Sequence, residues 1–220
     1  MKRELEFLKT FCETFVQEGT EWICSPFTDT GFLCATDAHI LVRLKPDESF
    51  DLYGIENKAG KVKDELFVQN CSHDISVSDI REAISKIPVK DEDEMIDCPE
   101  CKGRGQVTWE YGRHRKSDDC PDCDGEGEVS TGKILKSVKQ YLDCYIKIKD
   151  GYFNGKYVER LIDICEFEQV DSVHLLKSNE FKNSCFKVGR FDVILMPMVV
   201  NKNEFNTGFD KTVIEINLQP

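Results

Sequence analysis

Four cysteines in two matching segments are the residues of this chain whose type and spacing most clearly predict chemistry. The segment Cys98–Gly105 reads CPECKGRG and the segment Cys120–Gly127 reads CPDCDGEG, so Cys, Pro, acid and Gly recur in one register. Two CxxC pairs supply four thiolates, the number that a closed tetrahedral structural zinc requires. Glycines after each second Cys let the backbone turn close to the metal. The spacing therefore predicts one Zn²⁺ per chain, bound by Cys98, Cys101, Cys120 and Cys123.

Two other uses of these cysteines are a pair of disulfides and a redox-active CxxC. A redox motif would be single and would lie in a βαβ pattern. Disulfides fit poorly with the seven remaining cysteines, which have no CxxC or Cys–His pairing and are expected to be small, reduced core residues. They are Cys12, Cys24, Cys34, Cys71, Cys144, Cys165 and Cys185.

The segment between the two CxxC pairs has the pattern of a hairpin. Residues Gln106–Tyr111 alternate as in a strand before Gly112, which places Trp109 and Tyr111 on one face. A basic run follows, with Arg113, Arg115 and Lys116 at the tip. Aromatic rings beside cations can stack on bases and contact phosphate, so these five residues are candidate contacts for nucleic acid or another partner. The alternative is a solvated turn whose aromatics cover the zinc site.

Composition limits the classes of partner. The formal net charge is −12, which argues against broad wrapping of nucleic acid, because phosphate neutralisation needs clustered Lys and Arg. The first residues lack the apolar run of a secretion signal, and no stretch has the length of an apolar membrane span. We therefore expect a cytoplasmic location and no membrane contact.

No phosphate loop, serine elbow or metalloprotease helix occurs, so the sequence predicts no enzyme activity.

The remaining sequence predicts one pattern twice. Residues 3–18 carry Leu5, Leu8, Cys12 and Phe15 at helical spacing, and Gly19 ends that helix. Strands are predicted at 21–24, 31–35 and 39–44. A second helix, capped by Asn154, carries Leu161 on its apolar face, and strands follow at 172–176, 185–188 and 192–196. A third helix is predicted over 80–87, capped by Asp79, and a last strand over 213–218.

This repetition predicts the fold class and the domain boundaries. One helix plus three antiparallel strands, occurring twice, makes a pseudo-twofold α+β domain with both helices on one face of a sheet. That domain is expected at 1–96 and 131–220. The zinc-binding module is expected as an insertion at 97–130, flanked by a charged linker at 89–94 and by Ser130–Gly132.

The CxxCxGxG repeats resemble the cysteine-rich module of DnaJ-type chaperones over about Asp97–Ser130. That family's module has four repeats and two zinc ions. This chain has two repeats, so the resemblance implies one zinc here.

Two further motifs resemble bacterial DNA polymerase sliding clamps. They are Gly31–Leu41, which contains Ala-Thr-Asp-Ala-His, and the later pair formed by Phe153–Val158 with Asp192–Met198, which contains Met-Pro-Met. The resemblance implies a clamp-like α+β domain. A bacterial clamp chain has three such domains and closes as a dimeric ring, so a ring of this chain would need six copies. The two main helices carry mixed charge, which disfavours a DNA-tracking bore.

We therefore expect a non-enzymatic zinc-binding recognition protein that is an accessory factor of DNA replication or of other DNA transactions. A protein partner is expected, and DNA binding by the chain alone is expected to be weak. The alternative is a protein-binding adaptor or cochaperone-like module that uses the zinc hairpin. The oligomeric state is open.

Overall fold

The computed structural model describes residues 2–14, 21–46, 54–63, 67–198 and 212–218. The chain divides into two compact units. The first consists of Met1–Ile87 with Tyr141–Pro220, and the second of Pro88–Gln140. The module expected at 97–130 lies within the second unit. None of the described helices has the length and hydropathy needed to cross a bilayer.

The described residues of the first unit form three α-helices. They are α1 (Lys2–Lys9), α2 (Val77–Ser85) and α3 (Gly155–Glu168). The described helix α1 ends at Lys9, earlier than the predicted 3–18, and Phe15, Glu18 and Gly19 lie outside the described residues. Helix α3 begins as predicted, with the Asn154 side chain accepting a hydrogen bond from the Lys156 amide.

The predicted cap of α2 is wrong. Ser76, not Asp79, is the N-cap, and its hydroxyl oxygen accepts from the Asp79 amide at 3.1 Å. The helix therefore begins three residues before the predicted start. Ser and Asp are both favoured N-cap residues. Because a strand runs to Ser76, Ser76 and not Asp79 stands at the junction between strand and helix.

The strands form two sheets in the first unit. The larger sheet has the order β1-β2-β3-β13-β12-β11-β4, and the smaller has the order β10-β9-β14. Their bounds are β1 Phe27–Asp29, β2 Phe32–Thr36, β3 Ile40–Leu44, β4 His73–Ser76, β9 Cys144–Ile148, β10 Gly151–Phe153, β11 Ser172–Lys177, β12 Ser184–Val188, β13 Phe191–Leu195 and β14 Thr212–Ile216.

The larger sheet contains the repeated three-strand pattern. Strands β1-β2-β3 and β11-β12-β13 appear in mirrored order and meet where β3 pairs with β13 antiparallel, with Val42 opposite Val193. This arrangement relates the two halves by a pseudo-twofold axis at the β3–β13 pair. The prediction of a strand at 21–24 is wrong. Glu21–Ile23 form a short 3₁₀ helix, and the first strand is Phe27–Asp29, because the chain turns at Cys24–Ser25 before it pairs with β2.

Both repeated helices pack on the same face of this sheet. Phe11 after α1 and Leu161 in α3 are buried in one cluster with Val42 and Val193, as predicted. Phe7 of α1 stacks on Phe167 of α3 with ring centroids 4.1 Å apart. The two halves therefore share one core.

The predicted last strand is present as β14. It pairs in parallel with β9, with Ile214 opposite Ile146, and both side chains are buried. This strand adds apolar contacts to the core of the first unit.

The second unit has two ribbons of two strands. Strand β5 (Val89–Asp97) pairs with β8 (Glu128–Lys139), and β6 (Gln106–Tyr111) pairs with β7 (His114–Asp119). The prediction of a linker at 89–94 is wrong, since these residues belong to β5, and the flanking segment Ser130–Gly132 lies within β8. Acids of β5 face cations of β8, with Glu92 to Lys136 at 3.1 Å, so opposite charges across the ribbon make a strand of this charged segment.

Candidate metal centre and binding cleft

Four cysteine side chains converge in the second unit. The sulfur-bearing side chains of Cys98, Cys101, Cys120 and Cys123 are buried, and their Sγ atoms all lie within 4.8 Å of one another. The Sγ atoms of Cys98 and Cys120 are 3.8 Å apart, as are those of Cys101 and Cys123. A disulfide needs about 2.05 Å, so these sulfurs are not bonded to each other. The four thiols could hold a metal ion.

The distances between sulfurs match a tetrahedral site. A metal–sulfur bond of about 2.3 Å, typical of zinc–thiolate sites, places the sulfurs of a regular tetrahedron about 3.8 Å apart. The two 3.8 Å separations agree with that edge. Four sulfurs complete the coordination, so a metal here would have no open position for substrate or water.

Each pair of cysteines lies in the same backbone loop. The Gly105 amide donates to the Cys101 Sγ at 3.3 Å, and the Gly127 amide donates to the Cys123 Sγ at 3.2 Å. The two loops also bind each other, since the Cys98 amide donates to the Gly127 carbonyl at 2.7 Å and the Cys120 amide to the Gly105 carbonyl at 2.8 Å. These bonds orient the four sulfurs toward one point.

The second glycine of each repeat is required by close contact. A Cβ at Gly105 would lie 2.3 Å from the Gly125 carbonyl oxygen, and a Cβ at Gly127 would lie 2.7 Å from the Gly103 carbonyl oxygen. Both glycines also have positive φ, at 71° and 86°. The repeated Gly positions therefore let the two loops approach closely enough to bring the cysteines together.

Burial disfavours an uncompensated negative charge on the sulfurs. It raises the pKa of the Cys120 thiol to about 12, whereas at Cys101 the effect of burial is outweighed by the Gly105 amide and the neighbouring thiols, which lower the pKa. An anionic sulfur in that position needs a compensating positive charge, which a divalent metal supplies.

The hairpin between the two loops is formed as the alternation predicts. Gly112 has a φ of 59°, as the first position of a two-residue hairpin turn requires, and Trp109 and Tyr111 lie on one face of β6. The alternative that these aromatics cover the cysteine cluster is wrong. Val107 and Val129 pack on that cluster, whereas Trp109 is 58% exposed and Tyr111 is 87% exposed.

The basic residues of the tip do not form one patch. Arg115 pairs across the ribbon with Glu110, so it lies on the face opposite the aromatics. Lys116 lies opposite Trp109 and forms an ion pair with Asp118 at 2.8 Å, and Arg113 is in the turn. Cross-strand neighbours share a face, so the strand register separates the cations that the sequence places side by side.

Two of the segments singled out in the sequence, Gly31–Leu41 and Asp192–Met198, lie side by side in the first unit. The Met196 amide donates to the His39 carbonyl at 2.9 Å, directly beyond the pairing of Ile40 with Leu195. Asp37 stabilises the turn before β3, because its carboxylate accepts from the amides of His39 and Ile40, each at 3.0 Å. Segments that are far apart in the chain thus form one surface.

That surface contains two clefts that share His39 and Met196 among their lining residues. The first has a volume of about 350 Å³ and is also lined by Trp22, Leu41 and Val62, and the second has a volume of about 470 Å³ and is also lined by Leu142, Tyr157 and Met198. We use the name His39–Met196 cleft for both together. Met196 is 47% exposed. The cleft therefore presents apolar and aromatic side chains to solvent.

The cleft also has polar side chains in its lining, among them Lys61, Asn154, Lys156 and Asn183. The His39 and Tyr157 rings stack with centroids 5.3 Å apart. Burial and then the nearby Asp37 carboxylate raise the pKa of Tyr157 to about 12, so its hydroxyl stays neutral at physiological pH. Sequence reasoning used these segments only as markers of the fold and missed the cleft. The signal in the sequence was the run Met196-Pro197-Met198, which places two methionines at the end of a buried strand.

No family model and no curated protein sequence matches the chain. Solved structures of similar shape include DNA polymerase III subunit beta from Pseudomonas aeruginosa, with a TM-score of 0.41, 14% identity, and coverage of 90% of this chain and 64% of that one. They also include pol III beta from Caulobacter crescentus, with a TM-score of 0.44, 10% identity, and coverage of 89% and 64%. A third is the DNA polymerase sliding clamp from Bacillus subtilis, with a TM-score of 0.44, 9% identity, and coverage of 90% and 63%. The chain thus spans less than two thirds of the length of these structures.

Proposed function

We propose that this chain is a non-enzymatic recognition protein that binds one Zn²⁺ through its four clustered cysteines and binds a protein partner in the His39–Met196 cleft. We place it among the accessory factors of DNA replication or of other DNA transactions. The observation that carries the proposal is that the two clamp-like motif segments meet at an apolar cleft. Such a cleft can take a short apolar segment of a partner, since exposed Met and aromatic side chains are common at protein-binding surfaces.

Zinc is the metal that the cysteine centre favours. Four thiolates in a tetrahedron suit zinc, and the closed coordination suits a structural role. With no open position, the metal would stabilise the second unit and would perform no reaction.

Duplex DNA is a weaker candidate ligand for the chain alone. Arginines of two of its helices are engaged by acids, with Arg160 to Asp163 at 2.7 Å and Arg81 to Glu166 at 2.5 Å. The net charge is −12, so phosphate contacts would have to overcome general repulsion. We therefore propose that the partner protein, and not the helices of this chain, provides the main link to DNA.

The cleft can be tested with a pair of matched variants. Met196→Glu places a charge in the cleft, whereas Phe181→Glu places the same charge at another exposed apolar position of the first unit. Proteins captured by the wild type and by Phe181→Glu, but not by Met196→Glu, are expected to act in DNA replication, repair or recombination. Identical captures by the wild type and by both variants would contradict the role of the cleft.

The second candidate function is a protein-binding adaptor that uses the zinc hairpin, and the exposed Trp109 and Tyr111 favour it. Capture of unfolded or chaperone-associated proteins through the hairpin, with the cleft variant unaffected, would support the adaptor over the DNA-related role.

A further inference from the structure

Two aromatic side chains of the second unit have no role in its packing. Trp109 and Tyr111 lie two residues apart on β6, so both point to the same side of the ribbon. Among the described residues neither ring stacks on another ring, and both are largely exposed. Exposing the apolar surface of Trp and Tyr to water is unfavourable in free energy. Exposed Trp and Tyr side chains that lie together are typical of a contact surface.

The spacing of the two rings suits stacked bases. Residues two apart on an antiparallel strand are separated by about 6.8 Å. Successive stacked bases are about 3.4 Å apart, so one unpaired base fits between two rings at this separation. The backbone spacing of Trp109 and Tyr111 along β6 therefore leaves room for one base between their side chains.

The charges near the two rings suit contacts with phosphate groups. Lys116 and one acid, Asp118, share the face of the two rings, Arg113 lies in the adjoining turn, and Arg115 lies on the opposite face. The other acids of the hairpin, Glu110 and Asp119, lie on the opposite face, and the remaining acids of the unit lie on β5, on β8 and in the cysteine loops. Lys116 lies across the ribbon from Trp109, and its ion pair with Asp118 is exposed, so a phosphate can replace Asp118 at little cost.

We infer that the Trp109–Tyr111 face of the hairpin binds single-stranded nucleic acid, with the rings stacking on unpaired bases and Lys116 and Arg113 contacting phosphates. A duplex hides the faces of its bases in the helical stack, so the same surface discriminates against it. The inference deepens the proposed role in DNA transactions and rests on that role only for its biological setting.

Fluorescence of Trp109 tests the inference directly. The chain has two tryptophans, so Trp22→Phe leaves Trp109 as the single reporter. We expect a single-stranded oligonucleotide to quench this fluorescence at low salt, and a duplex of equal length to bind at least about tenfold more weakly. Stacking is worth about 1–3 kcal/mol per base, so Tyr111→Ala in the same background should weaken single-strand binding at least about fivefold. Lys116→Ala should lower the slope of log affinity against log salt by about 0.7.

The controls separate this surface from the rest of the molecule. Thr108→Ala changes the opposite face of the same strand and should leave binding unchanged, and all hairpin variants should retain their metal. Met196→Glu should leave the quenching of Trp109 fluorescence unchanged. The experiment therefore distinguishes failure of the proposed hairpin function from failure of the proposed cleft function. Absence of a quench, equal affinity for duplex, or unchanged affinity in Tyr111→Ala would overturn the inference. Loss of a protein partner in Tyr111→Ala without any single-strand quench would also overturn it and would make the face a protein contact.

Discussion

The two units use the same residue type for opposite purposes. In the second unit, the Sγ atoms of four cysteines lie within 4.8 Å of one another, and those of Cys101 and Cys123 accept hydrogen bonds from backbone amides. In the first unit, the cysteines are dispersed. Cys34, Cys144, Cys165 and Cys185 are buried as expected, whereas Cys12, Cys24 and Cys71 are only partly buried. Burial raises the pKa of Cys34 and of Cys185 to about 12. The difference shows that position, and not residue type, decides whether a cysteine binds metal or fills space.

The interiors of the two units differ accordingly. The buried cluster of the first unit includes side chains of all three helices and of both sheets. The buried cluster of the second unit consists of the four cysteines, with Val107 and Val129 packed against them. This small apolar cluster cannot stabilise a unit of this size by itself. We therefore expect folding of the second unit to depend on the metal, and folding of the first unit to be independent of it.

Removing a ligand should have the largest effect. We expect Cys98→Ser or Cys120→Ser to abolish metal binding and to expose the amides of 98–127 to hydrogen exchange, while the thermal transition of the first unit persists. Cys71→Ser, in the first unit, is the control and should retain one metal per chain. Global unfolding of the Cys98 or Cys120 variant would show that the two units do not fold independently.

A substitution in the core of the first unit tests whether the metal centre depends on that core. Leu161→Ala removes a fully buried side chain and should lower the free energy of unfolding of that unit by about 2–5 kcal/mol, measured by urea denaturation. Metal content should stay at one per chain. If the variant released its metal under native conditions, the independence of the two units would be refuted.

A pair of glycine variants sharpens the account of the cysteine loops. Gly105 and Gly132 have nearly equal positive φ, at 71° and 74°, but only Gly105 has another backbone atom in the space of a Cβ. Both Ala variants should incur a backbone cost of about 1 kcal/mol, and only Gly105→Ala should also weaken metal affinity. Equal metal affinity in both variants would mean that the close approach of the loops is unimportant. A competitive chelator titration measures the difference.

An effect confined to alkaline pH concerns the buried thiols of the first unit. Because the folded pKa of Cys34 is about 12 and its ordinary value is 9.0, its contribution to stability is complete below pH 9 and is lost as the pH rises from 9 to 12. The loss amounts to about 1.4 kcal/mol per pH unit for one such thiol. Cys34→Ala should show a shallower decline in urea midpoint over this range, and an unchanged decline would contradict the assignment.

Local patterns predicted much of the fold. The alternation in β2, β3 and β11–β13 and the Asn154 cap are determined by neighbouring residues, and the cysteine repeat carries its own geometry in eight consecutive positions. The charged strand β5 was not predictable, because its pairing depends on cations about 40 residues later in β8. The His39–Met196 cleft was not predictable either, since only the β3–β13 pairing brings its walls together.

X-ray absorption at the zinc edge tests the central claim most directly. The measurement uses the whole chain, purified without added metal. We expect one zinc per chain with four sulfur neighbours at about 2.3 Å and no nitrogen or oxygen in the first shell. A chain without metal, or a zinc with nitrogen or oxygen ligands, would contradict the assignment of Cys98, Cys101, Cys120 and Cys123 as a closed structural site.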